Sequence, residues 1–226
     1  MIRFLFLILL FSFLTTNCKD KKNLKHDNRV ISLNSYNNAL DVPLEKTGVV
    51  IQVDTVTFFG KDNLTVNESS KKVIQSITSI NDEFNFEDII TKKISTILNN
   101  RDINYTIIPD FNTAELPKDL ITKHNVNQVN FNSIKEKYPY DDLIVINVKN
   151  GFDYKHDDPK NSDQFAAKTF LALNILDLNN KKIKFAENIG GVRFLDNSLD
   201  SVNQKHLEYI MGKSINETIE IIEKKY

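Results

Sequence analysis

Apolar residues along this chain come in runs whose spacing changes from one segment to the next. The first run, Phe4 to Leu14, is eleven residues long and broken only by Ser12. Crossing about 30 Å of hydrocarbon takes about 20 apolar residues, so this run is too short to span a bilayer. It has the length of an export-signal core, with Arg3 supplying the positive charge ahead of it. Residues 19 to 47 alternate Lys, Asn and Asp with thinly scattered apolar positions. Neither a helical stripe nor a strand alternation fits there, and the segment reads as a polar tether.

From Gly48 onward the pattern becomes regular. Val49 to Phe59 is β-branched and aromatic between two glycines and predicts one strand. Residues 61 to 70 read as a polar loop, and 71 to 81 suit a helix or a strand equally. Phe86 to Leu98 predicts a helix with Asn85 as its cap, Glu87 and Asp88 in its first turn, and Ile90, Ile94, Ile97 and Leu98 on one face. A strand follows at Ile103–Ile108, closed by Pro109. Pro117 can open a short helix, and Ser133 can cap another that runs through Tyr138. Asp142 to Val148 is a continuous apolar run, as expected of a strand covered on both faces. Phe165–Leu178 and Lys181–Glu187 flank Asn179-Asn180, a pair that tolerates the positive φ of a tight hairpin. A final helix from His206 to Lys225 carries Leu207, Ile210, Met211, Ile215, Ile219 and Ile222 as its apolar stripe. The predicted fold class is α/β (α+β): a mixed β-sheet covered by helices, ending in a C-terminal helix.

The start of the chain carries the most specific signal. Leu14-Thr15-Thr16-Asn17-Cys18 stands between the apolar run and the polar Lys19-Asp20-Lys21-Lys22. It resembles a bacterial lipobox, which implies that residues 1–17 are removed and Cys18 is lipidated as the first mature residue. Leu14 lies four residues before the cysteine rather than three, and Asn17 replaces the usual small residue. The competing reading is an ordinary signal peptide with Cys18 incidental. Cys18 is the only cysteine among 226 residues, so no internal disulfide is available, and a thiol exported to an oxidising compartment is a liability unless blocked. The expected organisation is a signal peptide at 1–17, the lipidated cysteine and tether at 18–47, and a globular domain at 48–226. The expected address is the bacterial envelope, lipid-anchored to the outer membrane on its periplasmic side.

The element order is similar to the small α/β domain of the TolB amino-terminal region, the curli-secretion lipoproteins and related envelope lipoproteins. The matching segments are the Val49–Phe59 strand, the Phe86–Leu98 helix, the Ile103–Ile108 strand and Tyr140–Ile146. Phe170–Asp177 with Ile183–Ala186 completes the match, with Asn179-Asn180 where the family carries Gly. The resemblance implies a non-catalytic module that docks onto other proteins or assembles. It carries no catalytic residues across.

Composition narrows the field further. Net charge is −1, and the 29 basic residues are interspersed with 30 acidic ones, so no nucleic-acid footprint stands out. Nucleophile-elbow, zincin, paired-CxxC and phosphate-loop motifs are missing, and Gly190-Gly191 alone reads as a turn or bulge. The acidic stretch Asp153–Asp163, with His156, Asp157 and Asp158, could offer oxygen ligands. Its spacing fits no calcium loop, so a solvated loop without metal is expected. His26, His124 and His206 read as surface histidines. No catalytic residue, cofactor or metal is expected. The expected partners are the membrane, reached through the anchor, and an envelope protein, so the leading reading is a non-enzymatic adaptor or assembly factor. The alternative is a binding protein for a small or lipidic ligand, whose site the sequence does not locate.

Overall fold

The computed structural model describes residues 42–59, 68–111, 116, 129–154, 165–195 and 203–225. The signal segment, Cys18, the tether up to residue 41 and the region around Pro117 lie outside them. Six strands form one mixed sheet among the described residues: β1 (Thr47–Val53), β2 (Thr57–Phe58), β3 (Tyr105–Ile107), β4 (Asp142–Tyr154), β5 (Phe165–Asp177) and β6 (Lys182–Phe194). Its order is β3-β1-β4-β5-β6, with β2 also pairing with β4. The β3, β1, β4 part is parallel, while β4, β5 and β6 run antiparallel to their neighbours. Four helices accompany it: α1 (Glu68–Glu83), α2 (Phe86–Asn100), α3 (Phe131–Lys137) and α4 (Gln204–Lys225). The mixed, helix-covered sheet expected from the pattern is the fold observed.

The double-sided burial of β4 has a direct cause. Ile144, Ile146 and Val148 face α2 and α4, where Ile90, Ile94, Met211 and Ile215 pack on them. Leu143 and Val145 point the opposite way, into a second cluster with Phe131 and Ile134 of α3 and with Tyr138 at its C-terminal cap. Alternate side chains of one strand therefore enter different cores, and both must be apolar. The final helix buries Leu207, Ile210, Met211, Ile215, Ile219 and Ile222, the stripe read from the sequence. The core also takes in Val42, 3% exposed, upstream of the expected boundary at Gly48.

Several local expectations give way to specific interactions. Val49–Phe59 is not one strand. From Val53 to Thr57 the chain advances four residues, while β4 advances three from Val148 to Gly151. The extra residue is a bulge, and Asn81 of α1 pins it by accepting from the Val56 amide and donating to the Val56 carbonyl. The ambiguous 71–81 segment is helical, and its helix begins at Glu68, inside the stretch expected to be loop. α3 is capped by Asn130, which accepts from the Ser133 amide, so Ser133 lies inside the helix instead of capping it. In the β5–β6 hairpin the positive φ falls on Lys181, at 54°, not on either asparagine. Asp177 explains this, because its carboxylate accepts from both the backbone and the side chain of Asn180 and shapes a wider turn. Gly190 and Gly191 are not a turn but lie within β6.

Candidate functional site

Three places in the fold gather chemistry. The first is a cavity between α2, α4 and the sheet, lined by Leu44, Ile94, Leu98, Ile144, Ile175 and Ile222 among others. Its volume is about 40 Å³ and its wall is wholly apolar. Sites for small molecules occupy about 300–1,000 Å³ and set a few polar groups among apolar ones. This cavity has neither the size nor the polar groups.

The second is a charged knot where the sheet begins. Thr47, Asp142, Asp177 and Lys182 stand in one row of the ladder. Asp142 is 1% exposed and lies 2.6 Å from Lys184, and it accepts a 2.8 Å bond from the Glu45 amide. Lys135 donates to Asp141 at 2.8 Å, and Asn179 donates to it at 3.0 Å; together they hold the Asp141 carboxyl below its usual range. Burial raises the pKa of Asp177, but the bonds from Asn180 and the charges of Lys184 and Lys182 outweigh it and leave a lowered value. Both carboxyls are held ionised by partners that also fix the hairpin and the entry of the chain. The same bonds thus set the charge of the two carboxyls and hold the start of the sheet together.

The third is an open half-face of the sheet. α3 covers Leu143 and Val145 at one end. Further along the same face the register sets Gln52, Asn147, Ala172 and Asn188 in one row, and Lys149, Phe170 and Gly190 in the next. Phe170 is 46% exposed, and the Phe59 ring meets it edge-on with centroids 5.8 Å apart. Gly151 makes this possible, since a Cβ there would lie 2.5 Å from the Phe59 ring. On the opposite face Gly191 has a matching role. It lets α4 approach the sheet so closely that a Cβ would lie 2.8 Å from the Ser214 carbonyl. Ser214 Oγ then lies within hydrogen-bond distance, 3.0 Å, of both Thr169 Oγ1 and the Gly191 carbonyl.

The sequence-predicted positions are brought together only in part. Cys18, His26, His124 and residues 155–163 of the acidic stretch, including His156, Asp157 and Asp158, lie outside the described residues. Asp153, one residue before the end of β4, lies 2.5 Å from Lys168. His206 is half-buried, with Nδ1 shielded from solvent and its backbone amide donating to Asn203 Oδ1. Among the described residues no three His, Cys, Asp or Glu side chains gather as a metal site, and no helix is long and apolar enough to cross a membrane. The half-face around Phe170 was missed in the sequence. Its signal was present, because Gln52, Asn147 and Lys149 interrupt otherwise apolar strands at period-two positions.

The sequence matches no family model and no curated protein. Solved structures resemble the fold at low identity. A hypothetical protein of Chlamydia trachomatis is 10% identical, with 80% of this chain and 98% of that one covered and a TM-score of 0.36. A lipoprotein of Neisseria meningitidis is 12% identical over 76% and 97% of the two chains, with a TM-score of 0.34. The PelC dodecamer of Paraburkholderia phytofirmans is 9% identical over 86% and 97%, with a TM-score of 0.33. Likenesses of this size decide no function, and the reading rests on the residues of this chain.

Proposed function

We propose that the protein is a lipid-anchored adaptor of the bacterial envelope, acting through protein contacts and not by catalysis. The observation that carries the contact reading is the outer edge of β6. This strand spans thirteen residues, Lys182–Phe194, without a proline, and among the described residues no strand pairs with its outer side. The opposite edge, β3, has three residues, Tyr105–Ile107. A long edge offers a row of main-chain donors and acceptors to an added strand, whereas a short one offers little. The reading as an anchored protein rests on the lipobox-like Leu14–Cys18 segment and on the polar stretch that precedes Val42. The resemblance to TolB amino-terminal and curli-secretion domains belongs to the same reading, with the outer membrane as the expected address.

Two experiments test it. Metabolic labelling with a clickable fatty acid is expected to mark the wild-type chain and not Cys18→Ala, which leaves the membrane fraction. An unlabelled wild type removes the anchor. A photo-crosslinking amino acid placed at Val192 of β6 is expected to trap one discrete envelope protein in cells, and the same probe at the exposed Thr96 of α2 is expected to trap none. Equal capture from both positions removes the edge-docking reading. The apolar cavity between α2, α4 and the sheet is itself too small to serve the alternative, a small or lipidic ligand.

A further inference from the structure

Main-chain bonds to an added strand are nearly indifferent to its sequence, so selectivity at the β6 edge must come from side chains beside it. The first third of β6 is guarded. A bulge interrupts its pairing with β5 at Ile175/Leu176, and Lys182 and Lys184 stand there, with Lys184 tied to Asp142. On the face under α4, Glu187, Ile189 and Gly191 are buried, and Arg193, next in that series, is paired with Glu217 of α4. On the other face Asn188, Gly190 and Val192 follow one another along the edge, opposite Ala172, Phe170 and Lys168 of β5. Gly190 alone of the three has no side chain. Its chain neighbours aside, the described atoms nearest to the place of its Cβ are Phe170 Cδ1 at 3.5 Å, Phe170 Cε1 at 3.6 Å and the Thr169 carbonyl at 3.9 Å. The Phe170 ring thus reaches across to the bare glycine of the edge strand, and it is 46% exposed. Phe59 packs on that ring at 65°, with centroids 5.8 Å apart.

We propose that the β6 edge selects extended protein segments that carry a large apolar side chain opposite Gly190, flanked by polar residues. The proposal rests on the edge-docking reading above and names what that edge recognises. An added strand runs about 4.8 Å outside β6, and its residue opposite Gly190 continues the row Lys149, Phe170, Gly190. The Cβ of that residue stands about 4.5–5.5 Å from the place of the missing Gly190 Cβ. The Phe170 ring lies 3.5 Å from the same place, on its inner side. Alanine or serine is too short to cross that span. Leucine, phenylalanine or tryptophan crosses it, covers the glycine and meets the ring. Opposite Asn188 or Val192 the β6 side chain itself bars the way, so the selectivity concentrates at one position. The residues before and after point to the other face, where the Arg193–Glu217 ion pair borders the edge and favours polar groups.

Disulfide capture of short peptides tests the selectivity. The protein is the full chain with Val192→Cys and with Cys18→Ala, which removes its one native thiol. The probes are capped peptides Thr-Cys-Thr-Xaa-Thr-Ala-Thr, with alanine, leucine, phenylalanine or tryptophan at Xaa. The same sequences reversed sample the other strand direction. Pairing of the two cysteines sets Xaa opposite Gly190 and the alanine opposite Asn188. Retention is read by mass spectrometry across a dithiothreitol titration. The phenylalanine peptide is expected to be retained about fivefold better than the alanine peptide. Phe170→Ala should abolish that advantage, and phenylalanine moved opposite Asn188 should show none. Equal retention of the two peptides, above that at a control Thr96→Cys on α2, overturns the proposal and leaves edge docking standing. Retention no better than at Thr96→Cys overturns both. An advantage that survives Phe170→Ala overturns the proposal too, because the ring is then not the contact. A concentration-dependent dimer of the parent chain, lost in Val192→Lys, overturns it in favour of a second copy.

Discussion

Lys184 and Asp142 form a buried bond across the sheet, with Nζ 2.6 Å from Oδ1, and the same ammonium donates to the Pro43 carbonyl at 2.9 Å. One cation thus ties β6 to β4 and to the segment that enters β1. Asp142 also accepts from the Glu45 amide, so the path of the chain from Val42 into the sheet is fixed from two sides.

Removing one partner of a buried pair leaves the other charge uncompensated, which costs about 3–5 kcal/mol. Lys184→Met is therefore expected to lower the denaturant midpoint sharply. The Lys184→Met, Asp142→Asn double variant should recover part of the loss, since no bare carboxylate remains. Urea unfolding followed by circular dichroism measures both. A single variant as stable as the parent would show that the pair is solvated in solution.

Asp177 makes the acid limb of stability predictable. Its folded pKa is lowered by Asn180, Lys184 and Lys182 against the opposing effect of burial. A carboxyl with a depressed folded pKa contributes stability that is complete above its unfolded value, about 3.9, and is lost as pH falls through the folded value. Wild-type stability should thus fall below pH of about 4, and Asp177→Asn should flatten that fall while lowering stability at neutral pH. Thermal melts across that range give the comparison. Parallel curves would show that other carboxyls set the acid limb.

Much of the fold was legible because single elements carry redundant signals. The α4 stripe repeats its apolar spacing through the helix, and Leu143 to Ile146 within the Asp142–Val148 run has no polar position on either face. What stayed hidden depended on distant partners. The bulge at Asp54–Val56 exists because Asn81, 25 residues on, replaces the lost strand bonds, and no local pattern announces that. The Lys181 turn likewise depends on Asp177, read in sequence only as the end of a strand. The Phe170 half-face was obscured for another reason. Its row is composed of Gln52, Asn147 and Asn188 from three strands, and only the register brings them side by side.

The α4 stripe supports a prediction on the core. Ile219 is 5% exposed in the cluster that α4 shares with the sheet. Ile219→Asp would bury a carboxylate without a partner and is expected to cost several kcal/mol, about half or more of a typical domain's stability. Loss of the cooperative melting transition is the expected readout. An unchanged transition would show that α4 leaves the sheet readily in solution.

Two glycines give opposite outcomes for the same substitution. Gly191 sits in β6 beneath α4, where a Cβ would meet the Thr218 hydroxyl and lie 2.8 Å from the Ser214 carbonyl. The neighbour on that side is helix backbone, so relief requires α4 to shift and to break the bonds from Ser214 to Thr169 and Gly191. Overpacking of this kind costs about 1–3 kcal/mol, and the lost buried hydrogen bonds add to it. Gly212, inside α4, has no atom within 4 Å of its ideal Cβ position. Alanine there removes the conformational entropy that a helical glycine loses on folding, a gain of about 0.5–1 kcal/mol. Gly191→Ala should therefore melt lower than the parent and Gly212→Ala higher, in the same buffer and at the same concentration. Hydrogen exchange should locate the first effect in α4 and in the edge of β6, with α3 unaffected. If Gly191→Ala melts with the parent, the close approach of α4 to the sheet is wrong, and the Ser214–Thr169 bond with it.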